Sequence, residues 1–77
     1  MRSGTNEFER ARGVIGPRIR ELRKTKGLSQ EQLADLAGCD RTYVGILERQ
    51  QGNPSLSVLA AVANALGTTV HQLLADT

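Results

Sequence analysis

Residues 30–49 read QEQLADLAGCDRTYVGILER, and the spacing of small and apolar residues in this stretch decides the fold. Leu33 and Ala37 precede one glycine and Val44 and Leu47 follow it, each pair at helical i, i+3 or i+4 spacing. Ala34 puts a small side chain where a second helix must cross the first. Gly38, four residues on, supplies a turn residue that accepts a positive φ. Cys39 plugs the turn. The pattern predicts a helix-turn-helix, a unit that holds its second helix out from the body of the protein, where it can enter a DNA major groove.

Working outward, helix punctuation recurs on both sides. Gly27 ends a helix expected over about 16–26, with Ile15, Ile19 and Leu22 on its inner side. Gly13, Gly16 and Pro17 argue against an unbroken helix from Glu7, because proline lacks an amide hydrogen and fits the first turn of a new helix. Residues 1–12 therefore read as a flexible tail or short helical turn, and 13–77 as one domain. Ser29 and Gln32 have capping-box spacing. Asp40 caps the second helix of the motif, its carboxylate favoured by the helix dipole. Ser55 caps LSVLAAVANAL, which Gly67 ends, and Thr69 caps VHQLLA. Period-2 strand patterning is absent, so the fold class is all-α, a compact bundle of five helices.

The fourth helix carries two apolar stripes, one of Leu56, Leu59, Ala63 and Leu66, the other of Val58, Ala61, Val62 and Ala65. With the first turned inward, Val58 and Val62, joined by Val70 and Leu74, become candidates for burial against a second copy. The pattern equally allows both stripes to serve one core.

Composition narrows the function classes. A chain of 77 residues and 8.3 kDa holds one small core near the lower limit for independent folding, so association would help it. A lone cysteine forbids an internal disulfide, and no Cys or His spacing fits a metal site. Cys39 reads as a small buried apolar side chain. There is no run of ~18 apolar residues and no leader pattern, so a cytoplasmic location away from any membrane is expected. No Ser/His/Asp or Cys/His set, phosphate-cradling glycine loop or paired carboxylates are present, which argues against an enzyme and against a cofactor. With Phe8 and Tyr43 the sole aromatics, no base-stacking platform exists. Net charge is +2, yet from Arg10 to Lys26 seven basic residues face Glu21 alone. Such a basic segment suits phosphate contact, or serves simply as a solvated helix face.

The string IGPRIRELRKTKGLSQEQLADLAGCDRTYVGILERQQGNPSLSVLAAVANALGTTVHQLL resembles the phage repressor and Cro family, often called Xre-like. The resemblance covers residues 15–74 and rests on Ile19 and Arg23, Gly27-Leu28-Ser29-Gln30, Ala34 and Gly38, Leu47-Glu48-Arg49, Asn53-Pro54-Ser55 and the run Ala63 to Gly67. Within it, Asp40-Arg41-Thr42-Tyr43-Val44 is similar to restriction-modification controller proteins. The family implies a five-helix bundle that binds double-stranded operator DNA as a homodimer, with half-sites ~34 Å apart on a palindrome. Xre-like domains also serve as antitoxins or adaptors, an alternative reading in which the fourth helix serves a different protein partner; the residues identify no polymerase contact, and a toxin partner stays open.

With Val44 and Leu47 turned to the core, Arg41, Thr42, Gly45 and Ile46 face away from it. Positions matching Arg41, Thr42 and Ile46 read bases in the family. A guanidinium donates two parallel hydrogen bonds to guanine O6 and N7, worth ~1–3 kcal/mol of discrimination, while Thr42 bonds or touches a thymine methyl and Ile46 offers apolar contact. Gly45 admits either close approach of DNA or a tolerated surface glycine. Gln30, Arg49 and Gln51 match phosphate-contacting positions, and Arg18 is a further candidate; Tyr43 either reaches a phosphate or packs against the preceding helix. Arg23 and Glu48 match a structural ion pair tying the first helix to the end of the third. Gln50 departs from the family pattern, which commonly has glycine there.

Overall fold

The computed structural model describes residues 2–49 and 55–75, with side chains described from Gly13 onward. Five helices follow in order: α1 (Arg2–Thr25), α2 (Gln30–Ala37), α3 (Arg41–Glu48), α4 (Leu56–Ala65) and α5 (Val70–Leu74). Among the described residues there is no strand. α1 packs on α3 and α5, α2 on α3 and α4, and α4 on α5.

The local signals place the helix ends well. At α2 the Ser29 hydroxyl accepts from the Gln32 amide at 3.0 Å while the Gln32 side chain accepts from the Ser29 amide at 2.8 Å. This reciprocal pair satisfies two of the otherwise orphaned donors at the helix start. Asp40 accepts from the Thr42 amide, Ser55 from Val58 and Thr69 from Gln72. Gly38 holds the turn of the motif at φ 72°, ψ 31°. There its amide reaches Asp35 O and the Cys39 amide reaches Ala34 O at 2.9 Å, returning the last carbonyls of α2 to hydrogen bonds. The same bonding pattern closes α1 at Gly27 and α4 at Gly67.

Two expectations are corrected. α1 is one continuous helix of 24 residues with Pro17 inside it, not a helix that starts at residue 16. Proline forfeits one amide donor, but the turns on either side retain theirs, and the burial of Ile15 and Ile19 on either side of Pro17 holds both halves in register with the core. In α4, the residues turned inward are Leu59, Val62, Ala63 and Leu66, a single i, i+3, i+4, i+7 stripe, whereas Leu56 is 70% exposed. Val62 therefore belongs to the core, fully enclosed by its own chain, and is not available to a second copy.

The core is aliphatic. Ile19, Leu33, Val44, Val62 and Leu73 are its largest fully enclosed side chains, one from each helix. Ala34 is 1% exposed where α3 crosses α2, as its size requires. Cys39 packs half-buried against this core; burial, and secondly the charge of Asp40, push its thiol pKa up, which keeps it protonated and unreactive.

An ion pair between α1 and α3 fastens this bundle. Arg23 of α1 donates through Nε to Glu48 Oε2 at 2.6 Å and through Nη2 to Oε1 at 3.0 Å, with side chains 11% and 4% exposed. Its Nη1 donates to Leu28 O at 2.8 Å. Burial works against the Glu48 charge, but hydrogen bonds from Arg23 and Gln30 and the charge of Arg23 outweigh it and hold the carboxyl below its ordinary pKa. A depressed native pKa stabilises the fold above the unfolded-chain value, and this stabilisation is lost as pH falls through the native value. We expect Arg23→Met to cost about 3–5 kcal/mol in denaturant unfolding, because it strands a buried carboxylate. In thermal melts from neutral to strongly acidic pH, Glu48→Gln should be less stable than the parent at neutral pH and lose less on acidification.

A candidate nucleic-acid interface on the third helix

Residues of α3 divide by direction. Val44 is fully buried and Leu47 3% exposed, so the inner side of the helix is committed to the core. Arg41 and Thr42, in the first turn, are exposed on the other side. The rod is fixed at its start by the Asp40 cap and at its end by Glu48, which Arg23 grips. Its outward side chains are thus displayed on a rigid support.

Together with α2, this side of α3 forms an open groove of about 170 Å³ lined by Gln30, Arg41, Thr42, Gly45 and Arg49. Four of these are sequence-predicted DNA contacts, drawn from two helices onto one surface. Among the described residues that line it are two guanidiniums and no carboxylate, so the groove is suited to anionic or acceptor-rich partners. Gln30 is oriented within it, since its Nε2 donates to Glu48 Oε1 at 3.1 Å. The carboxylate that holds Arg23 also holds this amide.

Other predicted residues fall elsewhere. Tyr43 is 40% exposed but does not line the groove, and Ile46 is half-buried. Arg18 is engaged at the far end of the chain: Nη2 donates to Ala75 O at 2.7 Å and Nη1 to Gln72 O at 3.2 Å, capping the C-terminus of α5. Gln50 and Gln51 lie outside the described residues. Among the surface candidates for association, Val58 and Val70 are half-buried against the core and Leu74 is 40% exposed.

Gly45 is neither a bare surface glycine nor an open approach. It is buried, and the atoms nearest to where a Cβ would sit all belong to the Arg49 guanidinium, with Nη1 at 3.1 Å. Arg49 therefore folds back along the helix and lies on Gly45. The i, i+4 spacing of the two was visible in the sequence, but the covering of one by the other was not.

Among the described residues, no group of His, Cys, Asp or Glu could hold a metal ion, and no helix is long and apolar enough to cross a membrane.

Comparison with known proteins agrees with this geometry. The helix-turn-helix family profile matches residues 19–73. The control protein C.SmaI of Serratia marcescens is 44% identical over 61 residues, which are 79% of this chain and 73% of that protein. The solved restriction-modification controller protein C.AhdI of Aeromonas hydrophila superposes with a TM-score of 0.74 at 47% identity, covering 86% of this chain and 97% of that one. SinR, a master regulator for biofilm formation, has been solved in complex with DNA; that chain matches with a TM-score of 0.73 at 44% identity, over 79% of this chain and 98% of the solved one. Against the whole of SinR from Bacillus subtilis, the match spans 56% of the protein. A bundle of this order, with a matching profile across most of its length and relatives that are regulators rather than enzymes, places the chain in the Xre-type helix-turn-helix family of transcriptional regulators.

Proposed function

We propose that the protein is a sequence-specific transcriptional regulator of the cytoplasm that occupies a palindromic operator as a homodimer, with residues 13–77 as the DNA-binding unit and α3 in the major groove. The observation that carries this reading is the groove of Gln30, Arg41, Thr42, Gly45 and Arg49, carrying two guanidiniums and built on a helix whose opposite side is locked into the core. Relatives named as controllers, and one solved with DNA, support it.

Within that reading Arg41 is the principal base reader, paired with guanine, and Thr42 contacts the adjoining base or its methyl group. Ile46, half-buried, adds an apolar contact at the edge. Gln30 clamps a phosphate with its second amide hydrogen while Glu48 retains the first, and Tyr43 and Gln51 are further phosphate contacts. Arg18 serves the fold through α5 rather than the operator. With Val62 enclosed in the core, Val58, Val70 and Leu74 supply the apolar surface for the second copy.

Selection of bound sequences from a random duplex pool tests this directly. The expected outcome is a palindrome with half-sites one helical turn apart; failure to retain any duplex at low salt would remove the proposal. Arg41→Ala should relax preference at one base pair and cost ~1–3 kcal/mol on the selected site, whereas Gln30→Ala should weaken all sequences about equally. Leu74→Glu should shift the protein to monomer in sedimentation and abolish preference for two half-sites over one, leaving the helical content intact.

A further inference from the structure

Arg49 ends α3, and a side chain leaving a helix there leans toward the preceding turn. Its guanidinium lies over Gly45. The Arg49 amide donates to Gly45 O at 3.0 Å, and its guanidinium lies where any other residue at position 45 would place a side chain. A Cβ there would stand 3.1 Å from Nη1, closer than ordinary van der Waals contact. The consequence is positional. Instead of extending from the helix end toward the rim, where a backbone phosphate would be met, the guanidinium lies midway along α3 and lines the same groove as Arg41 and Thr42.

We propose that Gly45 and Arg49 together form a second base-reading element, the glycine providing a notch that seats the Arg49 guanidinium on the reading surface beside Arg41. Gly45 is four residues beyond Arg41, about 6 Å along the helix, which is close to two base-pair steps. The two guanidiniums, one rooted at Arg41 and the other seated on Gly45, are assigned to different base pairs. Each has the fork geometry that donates to O6 and N7 of one guanine, so the half-operator carries two guanines about two positions apart. Helix stability alone would favour alanine over glycine at position 45, and the notch is the compensating gain. This inference rests on the operator reading and assigns Arg49 to bases within it.

The test compares the full chain with Gly45→Ala, Gly45→Leu, Arg49→Lys and Arg49→Gln by selection from a random duplex pool, followed by affinity measurements across a salt series on the selected site and its single-base variants. The parent should select two guanines per half-site. Arg49→Gln and Arg49→Lys should lose preference at one guanine on the order of tenfold while keeping the one lost in Arg41→Ala. Gly45→Leu fills the notch and should reproduce that loss with Arg49 still present. Gly45→Ala, which displaces the guanidinium only slightly, should weaken the same preference partially while its melting temperature holds or rises, so that a binding defect there is not a folding defect. If Arg49→Gln instead weakens every sequence alike and lowers the salt slope by about one, Arg49 is a phosphate contact and the inference is overturned with the operator reading intact. A parent chain that selects no sequence overturns both.

Discussion

The contact between Arg23 and Glu48 is the constraint from which the rest of the molecule's presentation follows. Two charges with almost no access to solvent are joined by two short hydrogen bonds, and the remaining guanidinium nitrogen reaches the Leu28 carbonyl just ahead of α2. Such a pair adds little net stability over an apolar replacement of the same shape, but it is intolerant of misplacement, because each charge is stranded without the other. It therefore specifies geometry. α1, the entry to α2 and the end of α3 are brought to one point, and through Gln30 the same carboxylate reaches the surface of the groove. A buried electrostatic requirement thus fixes the orientation of an exposed amide.

Most of the architecture was legible because helix ends carry local chemistry. Ser29, Asp40, Ser55 and Thr69 each accept from a backbone amide two or three residues on, and Gly38 had to follow Ala34 closely for two helices to cross. The start of α1 was misread for the opposite reason. Proline and glycine signals near residues 13–17 are local penalties, and packing on both sides of Pro17 overrides them. In α4 the expected inner positions Leu59, Ala63 and Leu66 are inside, but a helix so apolar presents two plausible stripes, and its packing on α2 and α5 puts Val62 rather than Leu56 with them.

The lining of the groove was legible residue by residue but not as an arrangement. Gln30, Arg41, Thr42 and Arg49 were each nominated, and they do share one groove. What the string of letters does not contain is the direction of a long flexible side chain. Arg49 lies on Gly45, and Arg18, nominated for phosphate, binds main-chain carbonyls 54 and 57 residues away. Carbonyl partners leave no trace in side-chain patterns, so basic residues that cap helices look the same in sequence as those that bind polyanions. In this chain, a tally of basic residues overstates the number available to a polyanion.

The Arg18 contact also bears on how the chain comes apart. α5 has five residues and, being shorter than any helix that persists by itself in water, it exists only because it is docked. The side chain that caps it comes from the first helix, so the earliest and latest elements of the described chain are stapled to each other. Held in this way, α5 should open with the body rather than ahead of it. Its amide protons should exchange with the global opening of the bundle, making the carboxy-terminal turn a reporter of whole-domain cooperativity rather than a loose end.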